Sequence, residues 1–136
     1  MVADILEEKT LSHSNALFLV ETGHPDAAEA YLLDRAVKFD GGFYPGLLPL
    51  AEAMETDGRS LCASIIYRAL LDSILRRAQS KAYDHGVSYL KKLDKLSATI
   101  LDWRGFESHG IYMENLCSEH ARKRSFWPRY ERDSAG

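Results

Sequence analysis

Apolar positions recur with a helical period along most of the chain, and one stretch dominates. In residues 61–78, LCASIIYRALLDSILRRA, the side chains of Leu61, Ile65, Ile66, Ala69, Leu70, Ile74 and Leu75 cover well over half of a 3.6-residue wheel. Only Ser64, Arg68, Asp72 and Arg76, spaced four apart, leave a narrow polar stripe. A helix this apolar needs cover on at least two sides. It is too short and too charged to cross a bilayer, which takes about 20 mostly apolar residues. The pattern predicts the central helix of an all-α domain.

The flanking stretches supply the cover. Residues 15–22 place Ala16, Leu17, Leu19 and Val20 on a short amphipathic helix, which Gly23-His24-Pro25-Asp26 then breaks. Residues 26–38 carry Ala28, Tyr31, Leu32, Arg35 and Ala36 at helical spacing, up to the stop Asp40-Gly41-Gly42. A third helix over 45–56 turns Leu47, Leu48, Leu50, Ala51 and Met54 inward, and Asp57-Gly58 leads into the central helix. Beyond it, Ser80 is placed to cap a long helix over 81–100, with Tyr83, Val87, Leu90, Leu93, Leu96 and Ile100 inward and Lys91, Lys92 and Lys95 outward. A last helix is expected over 107–123, its buried stripe formed by Ile111, Met113, Leu116, Cys117 and His120. Residues 1–10 read as a frayed turn, and 131–136 as a loose tail.

The first half repeats itself. Ala16, Leu19, Gly23, Ala28 and Leu32 return 35 residues later as Ala51, Met54, Gly58, Ala63 and Tyr67. Small residues let paired helices approach, the glycine turns the chain, and larger side chains fill the groove. The period and pattern resemble the tetratricopeptide (TPR) repeat of about 34 residues, although no tryptophan opens either copy and no proline closes the second. Residues 15–78 are therefore expected to form two TPR-like hairpins, and 80–130 a non-repeating helical pair with a cap. Together they make a single domain of about six helices over 1–136.

Composition narrows the class. With 136 residues, 46% apolar and 27% charged, the chain can bury a core without disulfides or metal. Two cysteines, Cys62 and Cys117, and an acidic opening with no apolar leader favour a reducing cytoplasm. The net charge of −3 conceals an asymmetry: residues 1–58 carry 11 acids and 3 bases, the remainder 9 and 14. Two differently solvated surfaces explain such a split without any partner.

Three stretches together have a more specific likeness: LLPLAEAMETDGRSLCASIIYRALLDSIL, RAQSKAYDHGVSYLKKLDKL and HARKRSFW. They resemble the C-terminal helical region of an uncharacterised bacterial protein family, segments of which also lie downstream of SWIM-type zinc fingers. The resemblance spans residues 45–127 and implies an all-helical, TPR-like region that in relatives ends a longer protein. It implies no reaction, and two cysteines cannot supply the zinc-finger motif.

Chemistry-bearing constellations are sparse. Lys81 and His85 share a face near a helix start, where backbone N–H groups suit an anion. The competing account has His85 and Tyr83 fixing helix register through hydrogen bonds. Cys117 and His120 could bind zinc with His85 or His109, but a Cys–His pair on an apolar stripe is ordinarily core. Inward carboxylate pairs and phosphate-cradling glycine loops are missing from the pattern, so no enzyme, metal or cofactor is expected. Arg122, Lys123 and Arg124 beside Phe126, Trp127, Arg129 and Tyr130 could hold a nucleic acid by phosphate contact and base stacking. The simpler account lets the cations cap a helix while Phe126 and Trp127 fold back over the core.

The reading that results is a cytoplasmic protein-interaction module binding an unknown protein or peptide. Exposed Arg68, Arg76, Lys81 and His85 are its candidate ligand contacts, suited to an acidic or C-terminal carboxylate group. A nucleic-acid adaptor and a homo-oligomer, the latter joined through Leu17, Phe18, Phe43 and Tyr44, are the alternatives.

Overall fold

The computed structural model describes residues 11–135, and the fold is all-α. Seven α-helices lie among these residues: α1 (His13–Glu21), α2 (Pro25–Asp34), α3 (Tyr44–Thr56), α4 (Ser60–Arg76), α5 (Tyr83–Ser97), α6 (His109–Glu119) and α7 (Trp127–Ala135). Single 3-10 turns at Ala36–Lys38 and Ser80–Ala82 precede α3 and α5. The frayed turn expected over residues 1–10 lies outside the described residues.

α4 is the axis. Cys62, Ala63, Ile66, Tyr67, Leu71 and Leu75 have no exposed surface, because α3 and α5 pack along it and α2 crosses its start. Polar side chains lock the three long helices in register at one point. The Tyr67 hydroxyl donates to Glu55 Oε1 at 2.7 Å, and Lys92 Nζ reaches the same oxygen at 3.0 Å. Those two donors hold the Glu55 carboxyl below its ordinary pKa even though burial pushes it the other way.

The repeat is present in the backbone. After α1, the N–H groups of Thr22, Gly23 and His24 donate to the carbonyls of Phe18, Val20 and Leu19. After α3, those of Asp57, Gly58 and Arg59 donate to Ala53, Glu55 and Met54, the same pattern shifted by one repeat. Each is a glycine-terminated Schellman turn, with Gly23 at φ 82° and Gly58 at φ 74°. The repeat residues Ala16, Leu19, Ala28 and Leu32, and their counterparts Ala51, Met54, Ala63 and Tyr67, are all fully buried.

The second half departs from expectation in three places. Ser80 does not cap α5; it opens a 3-10 turn, and the preceding Ala78 takes φ 51° to let the chain double back. α6 is shorter than expected, capped by the Ser108 hydroxyl, and buries Tyr112 and Leu116, while Ile111 and Cys117 are exposed. The segment from residue 131, expected to be loose, continues α7 as far as Ala135. Phe126 plugs the gap between α4 and α5: a Cβ on Gly86 would sit 3.1 Å from its ring, so only glycine admits it without displacement.

Asp94 ties the end of the chain to α5. It accepts from the Tyr130 hydroxyl at 2.6 Å and pairs with His109 Nε2 at 2.7 Å, so a single carboxylate holds both α6 and α7.

Candidate functional site

A cleft of about 610 Å³ runs along one side of α4. Its floor is Ile65, Arg68, Ala69, Asp72 and Ser73, with Arg76 and Arg77 at one end. One wall is the segment from Ala36 to Gly41. Gly41 lies directly on α4: a Cβ there would fall on the Ala69 carbonyl oxygen, so only glycine permits the approach. The other wall is the loop Gly105-Phe106-Glu107 together with Tyr112 of α6. Arg104 at φ 49° and Gly105 at φ 86° turn this loop back, and Arg104 N–H donates to Asp102 Oδ1 at 2.9 Å.

Arg68 is the unusual member. It was expected on an exposed polar stripe, yet it is only 8% exposed. Its guanidinium lies 4.5 Å from the centre of the Tyr112 ring and 5.0 Å from that of Trp103. Both rings come from chain that follows α5, and their arrival buries the side chain. Nε and Nη2 are sealed and have no hydrogen-bond partner among the described residues. Desolvation pushes the Arg68 pKa down, opposed by Tyr112, Glu107 and Asp72. Stacking on two π faces stabilises a cation, but among the described residues no carboxylate pairs with this one.

The other charged groups of the cleft are engaged. Asp72 Oδ1 accepts from the Tyr112 hydroxyl at 2.9 Å, while burial pushes its carboxyl pKa up. Glu107 accepts from the Asn115 amide at 2.8 Å. Arg76 lies 3.6 Å from Glu119, and Arg77 3.7 Å from Asp40. The Ser73 hydroxyl is buried without a partner among the described residues.

Lys81 and His85 do not join this group. They line a second hollow of about 380 Å³, with Tyr44, Leu48, Leu70, Ile74 and Tyr89, on the far side of the Gly41–Gly42 loop. The four cations expected at one surface therefore divide two and two. His85 is exposed and makes no side-chain hydrogen bond to a neighbouring helix among the described residues.

At the C-terminal end the aromatic residues turn inward. Phe126 is fully buried, edge-on to Tyr83 and Trp127. The Trp127 indole N–H donates to the His120 carbonyl at 2.8 Å, and Arg129 pairs with Asp84 at 3.2 Å. Arg122 and Arg124 remain exposed, and Lys123, Trp127 and Tyr130 are half-buried.

A family model described as a family of unknown function, DUF6880, matches residues 3–129. The chain belongs to that family. No curated protein and no solved structure matches it.

The thiols and imidazoles of this DUF6880 member are dispersed. Burial raises the Cys62 thiol to about 12, far from the thiolate a nucleophile needs. Cys117 is exposed whereas His120 is buried, so the apolar Cys–His stripe expected on α6 does not form. Among the described residues, no group of three His, Cys, Asp or Glu side chains is placed to hold a metal, and no helix is long and apolar enough to cross a membrane. Trp103, Tyr112 and Ser73 were not singled out by sequence. Trp103 alone carried a signal, as a large aromatic in the polar connection Asp102-Trp103-Arg104-Gly105.

Proposed function

We propose that the chain is a non-catalytic binding module of the bacterial cytoplasm, built on two TPR-like hairpins, that recognises a protein or peptide at the cleft along α4. The observation that carries the reading is Arg68: a buried guanidinium beside an open cleft, with no carboxylate partner among the described residues. Burying an unpaired charge costs several kcal/mol in an idealised protein interior, on the order set by desolvation, and a ligand that supplies the counter-charge offsets that cost. The repeated glycine turns support the TPR-like reading, since stacked hairpins present an extended concave surface to a partner.

Two alternatives have less behind them. A nucleic-acid adaptor would use Arg122, Lys123, Arg124, Trp127 and Arg129, but Phe126 is fully buried and the Trp127 indole N–H is taken by the His120 carbonyl, which leaves less aromatic surface for stacking. A homo-oligomer would cover Phe43 and Tyr44, which are 50% and 60% exposed.

Affinity capture from a lysate of the cell that makes the protein tests the reading. Wild-type and Arg68→Met chains serve as parallel baits, with and without nuclease. A stoichiometric protein retained by wild type after nuclease and lost from Arg68→Met is the expected result. Recovery that collapses with nuclease would move the function to the C-terminal cations.

A further inference from the structure

We propose that the cleft binds a carboxylate that has an apolar group beside it, as at the end of a peptide closing on an aliphatic residue, and that Arg68 is the cation it pairs with. The inference rests on the binding-module reading and names its ligand chemistry.

Unmet hydrogen bonding points to the class. Of the six charged side chains lining the cleft, Asp72, Glu107, Arg76 and Arg77 each have a hydrogen-bonding or ionic neighbour, and Asp40 pairs with Arg77. Arg68 is the remaining one, and its Nε and Nη2 have no acceptor among the described residues. The charged groups of the lining balance, three acids against three arginines, so what calls for a ligand is the pair of Arg68 nitrogens without an acceptor. A phosphate dianion would bring a second charge close to Asp40, Asp72 and Glu107, where like charges repel strongly in a partly dry cleft. A carboxylate brings one negative charge rather than two, and its planar pair of oxygens matches the guanidinium fork.

The walls supply the second half of the specificity. Phe39, Ile65, Ala69 and Phe106 are apolar surface next to the cation, and Ser73 adds a hydroxyl with no present partner. At about 610 Å³ the cleft falls within the roughly 300–1,000 Å³ range of ligand sites, room enough for a terminal residue or two. The ligand draws the guanidinium from between Trp103 and Tyr112 toward the cleft, so the Trp103 indole responds to binding. Trp127, whose indole N–H is held by the His120 carbonyl, is the internal reference.

The test is a titration of the full chain, followed through the two indole N–H resonances. The probes are an acetylated alanine peptide ending in leucine with a free carboxylate, the same peptide as its C-terminal amide, 4-methylpentanoate, and inorganic phosphate. The free-acid peptide is expected to shift Trp103 and leave Trp127 in place, with the amide binding at least about tenfold more weakly. Arg68→Met should lose the response while keeping the native amide spectrum. Arg68→Lys, which retains charge but not the fork, should fall between.

Binding of 4-methylpentanoate as tight as that of the peptide would place the recognition in a small carboxylic acid. Binding of the peptide alone would place it in a chain terminus. Equal binding of acid and amide, tighter binding of phosphate, or an unchanged response in Arg68→Met would each overturn the proposal. If Arg68→Met still captures the lysate partner while the carboxylate probes fail, the module reading stands and the carboxylate assignment falls. If the probes bind but nothing is captured, the reverse holds.

Discussion

Arg59 and Arg68 stand at the start and the middle of the same helix, and their surroundings differ in kind. Arg59 is clasped by three carboxylates, Asp26 at 2.6 Å, Asp57 at 2.7 Å and Glu29 at 3.2 Å. Its hydrogen bond to Asp57, with further help from Asp26 and Glu29, raises its pKa. Arg68 lies deeper, between two aromatic rings, with no acid paired to it, and its pKa moves the other way. The first arginine ties α2 to the turn before α4. The second does nothing comparable for the fold. A cation compensated from within is a structural tie, whereas one left open beside a cleft marks a place where stability has been given up for another use.

The largest effect expected from this contrast is at Arg59. Replacing it with methionine leaves Glu29, whose side chain is 15% exposed, with only Arg104 at 3.8 Å. Urea unfolding of Arg59→Met should show a loss of about 2 kcal/mol. Adding Glu29→Gln in the same chain should restore about half of that, and strict additivity of the two changes would show that the pair is not coupled.

The two glycine turns come next. Gly23→Ala and Gly58→Ala each force a Cβ into the left-handed region and should each cost about 1 kcal/mol. Near-equal losses are the signature of a repeat; a loss at one position only would mean that the two hairpins are not energetically alike.

Tyr112→Phe sharpens the picture inside the cleft. It keeps the ring over Arg68 but removes the hydroxyl from Asp72, at a cost of about 1 kcal/mol near neutral pH. Burial already raises the Asp72 pKa, so the folded state binds this proton more readily than the unfolded one. Stability from this group therefore falls as pH rises from 3.8 through the folded pKa, and Tyr112→Phe should steepen that fall. Unfolding curves across the acid range, with an unaltered slope in the variant, would count against the assignment.

The smallest effect belongs to His13 and His120. Desolvation lowers both pKa values, so each imidazole is kept neutral in the fold and takes up a proton more readily once unfolded. Their contribution is complete above about pH 6.5 and is lost as pH drops toward the folded values. His120→Gln should flatten the decline in stability between pH 7 and 5.5, and an unchanged decline would remove His120 from the account.

What could be read in the sequence follows the range of the forces involved. The hairpins were legible because Ala16, Gly23 and Ala28 and their counterparts Ala51, Gly58 and Ala63 act through neighbours in the chain. α4 was legible because it is apolar around most of its circumference. On this part of the chain Leu116 and His120 are buried and Met113 packs on the core as expected, but Ile111 and Cys117 are exposed and Tyr112 is buried instead, its hydroxyl bonded to Asp72, 40 residues away, which no local pattern records. α7 was missed beyond Tyr130 because Glu131, Arg132 and Asp133 show no apolar period. The cleft was half legible. Arg68 and Arg76 were identified, but the wheel placed Arg68 in solvent, since Trp103 and Tyr112 reach it only after α5 has returned along α4. Lys81 stands in the 3-10 turn before α5 and not on the helix with His85, and the two line a different hollow.

The most direct measurement is the equilibrium urea unfolding of Arg68→Met beside wild type. Methionine keeps the aliphatic stem and removes the unpaired charge. The account predicts a variant at least as stable as wild type, within about 0.5 kcal/mol or above it. A loss of about 3 kcal/mol or more would show that Arg68 holds the fold together, and the reason for reading the cleft as a binding site would be gone.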